Sequence, residues 1–447
     1  MASQAQMAAQ LSFANFGKAT ELKKRLWFTL GALIVFRLVS FVPLPGVDPA
    51  ALASLFDTTK GGALDYFNMF SGGALQRMSL IALGVTPYIT ASIIIQLMTS
   101  LVPSLATLKK EGESGRKRLN QYTRYGTVLL TAIQGYGIAA GLESWGGGTA
   151  VIDPGWFFRI TTVITLIGGT MFLMWLGEQI TSRGIGNGIS LIIMAGIVSH
   201  LPMSIGQLFE QARTGAINGG FLVLIGIIAL ATIAFICLME RAQRRILIQY
   251  PKRQVGSKMF QGDSSHLPLK INTSGVIPPI FASSLLLMPL TVAQFAGRTG
   301  TGPDWLLTVT AALQHGQPLY MLLYAAGIIF FSFFYTAVVF NPEETAENLK
   351  KYGGFIPGIR PGVRTSEYLD YVLTRVTVIG AAYLTLICLL PEFLTAQMGL
   401  GTLAIGGTSL LIVVNVTMDT VAQIQSHLLA HQYEGLIKKS KLRGNRR

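Results

Sequence analysis

Charged residues are scarce in this sequence. Asp, Glu, Lys and Arg make up 13% of its 447 residues, about half of the roughly 25% that is usual in soluble proteins. Apolar residues make up 51%. This composition excludes a disordered chain and argues against a soluble enzyme. It is typical of a polytopic membrane protein, because a charged side chain is costly to place in hydrocarbon.

Cysteine and the usual catalytic constellations are also lacking. The two cysteines, Cys237 and Cys388, each lie in an apolar run, which excludes a disulfide framework and favours a core position. No histidine is paired with a cysteine or carboxylate at the spacing of a metal site. The glycine-rich segment Gly184–Gly188 is not followed by the Gly-Lys-Ser/Thr of a phosphate-binding loop. We therefore expect no metal, no cofactor and no catalytic residue, and hence a protein that is not an enzyme.

Long apolar runs are what the sequence has in abundance. A run of about 20 residues is long enough for a helix to cross a bilayer. Ten such stretches are present, at 26–44, 78–101, 122–141, 157–177, 185–203, 219–239, 272–295, 318–340, 374–394 and 402–423. The sequence therefore predicts ten spans, and an even number of spans places both termini on the same side of the membrane.

Lys and Arg are divided unequally between the two sides. When the loops are counted alternately from the N-terminus, 29 of the 35 basic residues fall on one side, and only Lys60, Arg77, Arg213 and Arg298 fall on the other. Basic loops stay in the cytoplasm. We therefore predict a cytoplasmic N-terminal tail (1–25), large cytoplasmic loops after spans 6 and 8 (240–271 and 341–373) and a basic cytoplasmic C-terminal tail (425–447).

Charges deep within the predicted spans are nearly missing. Glu178, Glu240 and Asp419 all lie near predicted cytoplasmic ends. This weakens an ion-coupled transporter, which needs carboxylates near the midplane. Arg37 is the one charge well inside a span, and an intramembrane ion is a functional candidate by default. A purely structural role for Arg37 is an equal alternative at this stage.

An internal repeat links two of the spans. Gly84–Ser92 in span 2 and Gly275–Ser283 in span 7 share the pattern G-V-x-P-x-I-x-A-S. Span 7 is the second span of the second set of five, and an odd number of spans per half gives the halves opposite topology. Inverted repeats with proline-interrupted helices are typical of a pathway near the midplane. The pattern predicts halves at 26–210 and 211–424.

A short apolar segment precedes span 2. Gly61–Phe70 is too short to cross the membrane, and Ser71-Gly72-Gly73 then breaks it. Non-helical backbone at membrane depth survives only inside protein or beside a wet cavity. The segment is therefore either re-entrant or an amphipathic external loop.

Seven sequence runs carry a resemblance to a known family. They are Lys109–Arg116, Gln121–Gly126, Phe172–Gly188, Leu267–Ser284, Val339–Lys350, Gly354–Gly362 and Gly406–Val414. Together they resemble the bacterial SecY family, whose members are the central subunit of the protein-translocation channel. The resemblance covers nearly the whole chain. It implies an all-α membrane fold of ten transmembrane helices, in two inverted pseudo-symmetric halves around a central pore.

The resemblance also implies sites within the pore. A ring of aliphatic side chains closes the pore of this family, and such a ring excludes water and ions by dewetting. A plug at 61–74 fills the external funnel, and its glycines serve as a hinge. The matching ring residues are Val85, Ile89, Ile189, Ile193, Ile280 and Ile412. The matching plug residues are Leu64, Phe67, Asn68, Met69, Phe70, Ser71, Gly72 and Gly73.

A lateral gate and docking loops follow from the same resemblance. Spans 2 and 3 facing spans 7 and 8 would form the gate, with polar contacts weak enough to open. The implied gate residues are Thr86, Thr90, Ser92, Gln96, Ser283, Ser284 and Met288. The implied partner-binding residues are Arg244, Arg245, Lys252, Arg253 and Arg360.

The implied partners are the small membrane subunits SecE and SecG, the SecA motor ATPase, the ribosome with its RNA, signal sequences and nascent chains, and anionic lipids. The expected function is a passive channel of the bacterial cytoplasmic membrane that threads unfolded secretory proteins outward and releases apolar segments into lipid. Two rivals remain, an ion-coupled transporter and an intramembrane enzyme. Both are weakened by the groups that the spans lack.

Overall fold

A computed structural model describes residues 20–52, 68, 71–144, 150–215, 219–250, 253–255, 258–260, 264–286, 312, 317–398 and 407–444. These ranges are mostly helical. The principal helices are α1 (Thr20–Val39), α2 (Thr86–Leu101), α3 (Pro103–Lys110), α4 (Glu113–Ser144), α5 (Trp156–Arg183), α6 (Gly188–Arg213), α7 (Gly219–Arg241), α8 (Ile277–Leu286), α9 (Pro318–Val339), α10 (Pro342–Lys351), α11 (Val363–Met398) and α12 (Gly407–Gly444). The strands are β1 (Gln243–Gln249), β2 (Arg253–Val255), β3 (Lys258–Phe260) and β4 (Ser264–Lys270).

Each of the ten predicted spans overlaps one of these helices. Within the described ranges, six helical segments are long and apolar enough to cross a membrane: α5, α6, α7, α9 continued by α10, α11 and α12. Helices α2 and α3 together pass the same test as one span broken by a bend of 104°. The chain is therefore a multi-span membrane protein, as the sequence predicts.

The bend between α2 and α3 has a local cause. Val102 has φ −101° and ψ 116°, an extended conformation, and Pro103 begins the next helix. The ring of a proline clashes with a helical conformation at the residue before it. The chain therefore leaves the helical region for one residue at Val102 and continues in a new direction.

The predicted start of span 2 at residue 78 is wrong. Helix α2 begins at Thr86, and residues 71–85 form hydrogen-bonded turns whose side chains are mostly buried. Met78 has φ 40° and Gly84 has φ 59°, both in the left-handed region. Apolar composition predicted a helix here because a buried turn and a buried helix look alike in hydropathy.

The described residues form two compact units. The first contains those of 1–59, 66–200 and 416–447, and the second contains those of 201–415. Helices α6 and α12 contribute residues to both units. The halves at 26–210 and 211–424 stay a prediction about topology.

Helix packing organises the first unit. Helix α4 lies against α2 and α5, and α1 lies against α5. The glycine-rich segment between α5 and α6 is a tight turn. In this turn the Gly188 amide donates to Thr181 Oγ1 at 2.9 Å and the Gly186 amide donates to Gln423 Oε1 of α12 at 2.8 Å. The segment fixes how α6 begins.

The second unit carries the two large loops. Strands β1 and β4 pair antiparallel, from Gln243 opposite Lys270 to Gln249 opposite Ser264. The two bonds between Gln249 and Phe355, at 2.9 and 3.0 Å, join β1 to the loop after α9. Buried side chains from both loops and from the start of α11 form one small core: Ile246, Leu269, Ile356, Leu369, Val372 and Val376. We call β1, β4, residues 340–362 and the α11 residues of this core the loop body.

Candidate functional site

The two copies of the sequence repeat begin their helices in the same way. Gly84 has φ 59° and its counterpart Gly275 has φ 63°. The first amide bonds also correspond, because Ile89 donates to Val85 at 3.1 Å and Ile280 donates to Val276 at 3.4 Å. A positive φ favours glycine, which lacks the Cβ that would clash. The repeat is therefore one of backbone geometry as well as of sequence.

The packing of each repeat helix on the following span also corresponds. A Cβ built on Gly126 of α4 would lie 3.4 Å from the Cβ of Ala91 in α2. A Cβ built on Gly327 of α9 would lie 3.1 Å from the Cβ of Ala282 in α8. Small residues on facing helices let the backbones approach closely. Each unit thus packs the alanine of its repeat on a glycine of the next spanning helix.

A further correspondence lies outside the nine matching positions. The residue four positions before the repeat glycine is Leu80 in the first unit and Ile271 in the second. The carbonyl oxygen of Leu80 lies where a Cβ on Gly169 of α5 would be, and that of Ile271 lies 2.7 Å from a Cβ built on Gly380 of α11. Sequence reasoning missed both glycines, because no local pattern marks where a distant carbonyl will lie.

The six predicted ring residues are all described, four in the first unit and two in the second. In the first unit Val85 and Ile193 are buried, whereas Ile89 and Ile189 are half-buried. Ile189 lies close to α5, since a Cβ on Gly177 would be 3.0 Å from its Cγ1. In the second unit Ile280 and Ile412 are buried. A ring needs residues of both units together, so it stays a prediction.

The predicted plug is described only at its C-terminal end. Leu64, Phe67, Met69 and Phe70 lie outside the described residues. Asn68 accepts at its Oδ1 from the Gln76 amide at 2.8 Å and at its carbonyl from Ser71 Oγ at 3.0 Å. Gly72 and Gly73 have φ 71° and 79°, a conformation that favours glycine. The polar end of the segment is therefore a defined turn that precedes α2.

Two arginines converge on this turn. Arg37 Nη1 of α1 donates to the Gly72 carbonyl at 2.6 Å. Arg77 donates to the carbonyls of Gly72 and Gly73, both at 3.1 Å. The sequence singled out Arg37 as an intramembrane charge but gave Arg77 no role beyond its charge. A turn that brings position 77 back to positions 72 and 73 leaves no periodic pattern of apolar residues from which it could be predicted.

The second unit holds its repeat helix through a carboxylate. Asn272 Nδ2 donates to Glu240 Oε1 at 2.6 Å and to the Gly275 carbonyl at 3.1 Å. Ser274 Oγ donates to Asn272 Oδ1 at 3.1 Å. Glu240, Asn272 and Ser274 are all buried. This network joins the end of α7 to the turn before α8.

The predicted gate residues bond within their own helices where the structure describes a bond. Thr90 Oγ1 donates to the Thr86 carbonyl at 3.1 Å, and Ser283 Oγ donates to the Ile280 carbonyl at 2.9 Å. Gln96 Nε2 lies 3.5 Å from Ser92 Oγ. Ser284 is buried in the second unit, and Met288 lies outside the described residues. A role of these side chains between helices stays a prediction.

The loop body presents most of the predicted docking residues. Arg244 and Arg245 are exposed on β1, beside the buried Ile246. Arg360 is exposed in the turn before α11, and its carbonyl accepts from Thr365 Oγ1 at 3.0 Å. Lys252 lies outside the described residues, and only the backbone of Arg253 is described. The structure thus brings the loops after α7 and α9 onto one body, which the sequence did not predict.

Comparisons with known proteins agree with this architecture. The family model named SecY matches residues 79–421. The chain is 58% identical over 427 residues to the protein translocase subunit SecY of Vibrio cholerae, covering 95% of this chain and 96% of that protein. It is 56% identical over 429 residues to the SecY of Escherichia coli K12, covering 96% of each chain.

Two solved structures share the fold at 17% identity, and each comparison covers 91% of this chain and 92% of the other. One is a SecY protein whose plug domain stabilises the closed state of the channel and maintains a membrane seal, with a TM-score of 0.66. The other is Sec61 in a canine ribosome–channel complex of the endoplasmic reticulum, with a TM-score of 0.63. The paired helix starts, the two-unit helical fold and the sequence identity over nearly the full length lead to one conclusion: the chain belongs to the SecY family.

Proposed function

We propose that this chain is the channel subunit of a bacterial protein translocase, which conducts unfolded secretory proteins across the cytoplasmic membrane and releases apolar segments sideways into lipid. The observation that carries the proposal is the identity of 58% over 95% of the chain to a protein translocase subunit. A SecY-family protein is a channel subunit and not an enzyme, so the channel does its work through binding and movement.

Reconstitution tests this function. The chain is placed in liposomes with candidate small membrane subunits, and a cytosolic motor ATPase, ATP and a secretory precursor are added. The precursor should become protected from added protease. The same liposomes with the precursor's signal sequence deleted provide the control. Protection that does not depend on the signal sequence would contradict the proposal. So would a lack of protection with every combination of subunits.

The aliphatic ring serves as the seal of the pore. It comprises Val85, Ile89, Ile189, Ile193, Ile280 and Ile412. Branched apolar side chains fit loosely around any polypeptide and exclude water by dewetting. Support comes from Ile89 and Ile280, which occupy the same position of the structural repeat and accordingly contribute equivalent side chains from the two units.

The segment at 61–74 serves as the plug. Its described end supports this role, because Gly72 and Gly73 have positive φ values and lie in a packed turn. Glycine tolerates the φ/ψ changes that a hinge must absorb. Displacement of the plug and parting of the helices of spans 2 and 7 then open the pore outward and sideways. Cysteines at positions 90 and 288 should form a short crosslink at rest that blocks translocation, and translocation at the full rate through that crosslink would refute the gate.

The loop body serves as the docking surface for cytosolic partners. Its exposed Arg244, Arg245 and Arg360 extend from one core, so a single partner can contact both loops. The partners are the SecA motor ATPase and the ribosome, whose RNA phosphates attract basic side chains. Gly358 and Gly362, at φ 83° and 110°, and the bond from Thr365 fix the turn that presents Arg360.

Arg360→Glu should abolish motor-dependent translocation, since a reversed charge adds repulsion to a lost contact. Arg364→Glu is the matched control. Arg364 lies four residues after Arg360, is exposed, and already pairs with Glu367 at 3.3 Å. The rate of precursor protection in liposomes measures both variants. Equal losses of translocation rate in the two variants would show that only the general positive charge of the loop matters, and not the position of Arg360.

Helix α7 supports a place for small membrane subunits or lipid. Only 6% of its most apolar window is buried within the chain. An apolar helix with so few fully buried residues must complete its packing against lipid or other helices. SecE and SecG, with anionic lipids at the basic loops, fill this role in the proposal. Both termini lie in the cytoplasm, and an external reporter tag at the C-terminus would contradict this topology.

A further inference from the structure

The glycine pair at the end of the plug receives three bonds from arginine side chains. The bond from Arg37 Nη1 to the Gly72 carbonyl, at 2.6 Å, joins residues 35 positions apart. The bonds from Arg77 run to carbonyls four and five positions earlier and close a local turn. Arg37 therefore ties the turn to α1, while Arg77 shapes the turn itself. Bonds with a charged donor are about twice as strong as bonds between neutral groups.

Phe41 contacts both guanidinium groups. The guanidinium carbons of Arg37 and Arg77 lie 5.2 and 4.2 Å from the centre of its ring. The face of an aromatic ring attracts cations at this range. This attraction offsets the repulsion between two like charges. Both arginines can therefore stay directed at the same carbonyl.

Helix α6 also lies against the glycine pair. A Cβ on Gly72 would lie 3.1 Å from the Cα of Gly196. A Cβ on Gly73 would lie 2.9 Å from His200 Nε2 and 2.6 Å from Arg77 Nη2. The turn is thus packed against α6 and bonded by the two arginines. A rotation about its φ and ψ angles redirects the carbonyls, and a rotation that moves them out of reach of their donors breaks these bonds.

We propose that Arg37 and Arg77 form a latch that holds the plug shut by binding the carbonyls of Gly72 and Gly73. This inference rests on the proposed role of 61–74 as a plug. Opening requires the hinge to rotate, and this rotation breaks the bonds from Arg37 and Arg77. In this proposal the bonds are made in the closed state alone. A contact made in one state alone shifts the equilibrium toward that state. The latch therefore sets how readily the resting channel opens, and this gives Arg37 its function within span 1.

Thiol labelling at the turn tests the latch. Ser71 is 3% exposed and is replaced by cysteine, with Cys237 and Cys388 changed to alanine. In the reconstituted complex, the rate of reaction of this cysteine with a membrane-impermeant maleimide reports how often the turn opens. Arg37→Gln should raise the rate about tenfold, as expected for the loss of one charge-assisted bond. Arg37→Lys, which keeps a charged donor, should restore most of the protection.

Two controls separate a latch from general loosening. Arg213→Gln removes a charge that is 80% exposed and is predicted to lie on the same side of the membrane as Arg77, and it should leave the labelling rate unchanged. The melting temperature of each complex is measured in parallel. A latch predicts faster labelling at an unchanged melting temperature. Faster labelling that tracks a lower melting temperature, without rescue by lysine, would overturn it.

Deletion of residues 62–70 separates failure of the latch from failure of the plug. The deletion should raise resting ion conductance if the segment is a plug. If conductance does not change, the plug proposal is refuted, and the latch proposal, which rests on it, is refuted as well. If the deletion raises conductance but Arg37→Gln and Arg77→Gln change neither conductance nor labelling, the plug stands and the latch is refuted.

Discussion

The starts of α2 and α8 show how one backbone plan is held in place by two different chemistries. Both helices follow a glycine with positive φ, and both pack their alanine on a glycine of the next span. The turn before α2 is held by arginines that bind carbonyls, whereas the turn before α8 is held by the buried pair of Asn272 and Glu240. The shared geometry follows from the repeat, and the differing supports follow from what each turn joins.

The difference between the two supports agrees with the functions proposed for the two turns. The turn before α2 continues from the proposed plug, and bonds from long arginine side chains to backbone suit the reversible contact that such a plug requires. The turn before α8 continues from β4 of the loop body, and the bond from the Ile271 amide to the Ala242 carbonyl at 3.1 Å closes the base of that hairpin. Under the proposed docking role of the loop body, this firm link connects a docked partner to α8 directly.

Ile89 and Ile280 allow the largest test of the comparison, because they occupy the same repeat position. Ile89→Asn and Ile280→Asn should each raise resting ion conductance at least about tenfold, since a polar side chain would hydrate the proposed constriction. Single-channel recording in planar bilayers measures this. Ile94→Asn, an exposed position of α2, should have little effect. A leak in only one of the two variants would show that the units do not contribute equally to the seal.

Gly169 and Gly380 test the contacts of Leu80 and Ile271. Gly169→Ala should lower the free energy of unfolding by about 3 kcal/mol and Gly380→Ala by about 1 kcal/mol, because overpacking against backbone finds little relief. Thermal unfolding of the purified protein measures both. Gly168→Ala has nothing within 4 Å of its new methyl group and should be neutral or stabilising. Equal and small losses would contradict the close approach in the first unit.

Asn68 and Asn272 test the two kinds of support. Asn272→Leu should cost about 2–3 kcal/mol in unfolding free energy, since it removes a bond to a buried carboxylate, whereas Asn68→Leu removes bonds between neutral groups and should cost about 1 kcal/mol. Thr273→Ala, which loses one exposed bond, serves as the control beside Asn272. A greater loss at Asn68 would reverse the proposed order of strength.

Gly84 and Gly275 should give the smallest effect. Alanine at either position should cost about 1 kcal/mol of unfolding free energy, because a left-handed conformation is strained for a residue with Cβ. The nearest atoms would lie at ordinary distances, 3.5 Å at Ser71 and 3.7 Å at Asn415. Asparagine tolerates this conformation better and should cost less than alanine at both sites. Unequal costs would show that the two turns differ in more than their supports.

Much of the architecture was predictable because it depends on composition and order. Apolar length predicted a helix in each of ten stretches, and the shared pattern at Gly84 and Gly275 indicated that α2 and α8 are related. The two halves at 26–210 and 211–424 stay a prediction. The start of α2 was predicted wrongly, since hydropathy does not distinguish a buried turn from a helix. Of the candidate site, the sequence predicted Gly72, Gly73 and Arg360 but not Arg77, Gly169 or Gly380, whose roles depend on distant carbonyls.

The sequence by itself determined the membrane class, the family and the repeat. These follow from hydropathy, from local motifs and from the special conformational freedom of glycine. Only the tertiary structure decided that Arg37 and Arg77 meet at one carbonyl and that Asn272 binds Glu240. It also decided that two loops separated by 69 residues, 272–340, share one core. Contacts of this kind depend on which segments pack together, and the free energy of that packing belongs to the whole chain and not to any window of it.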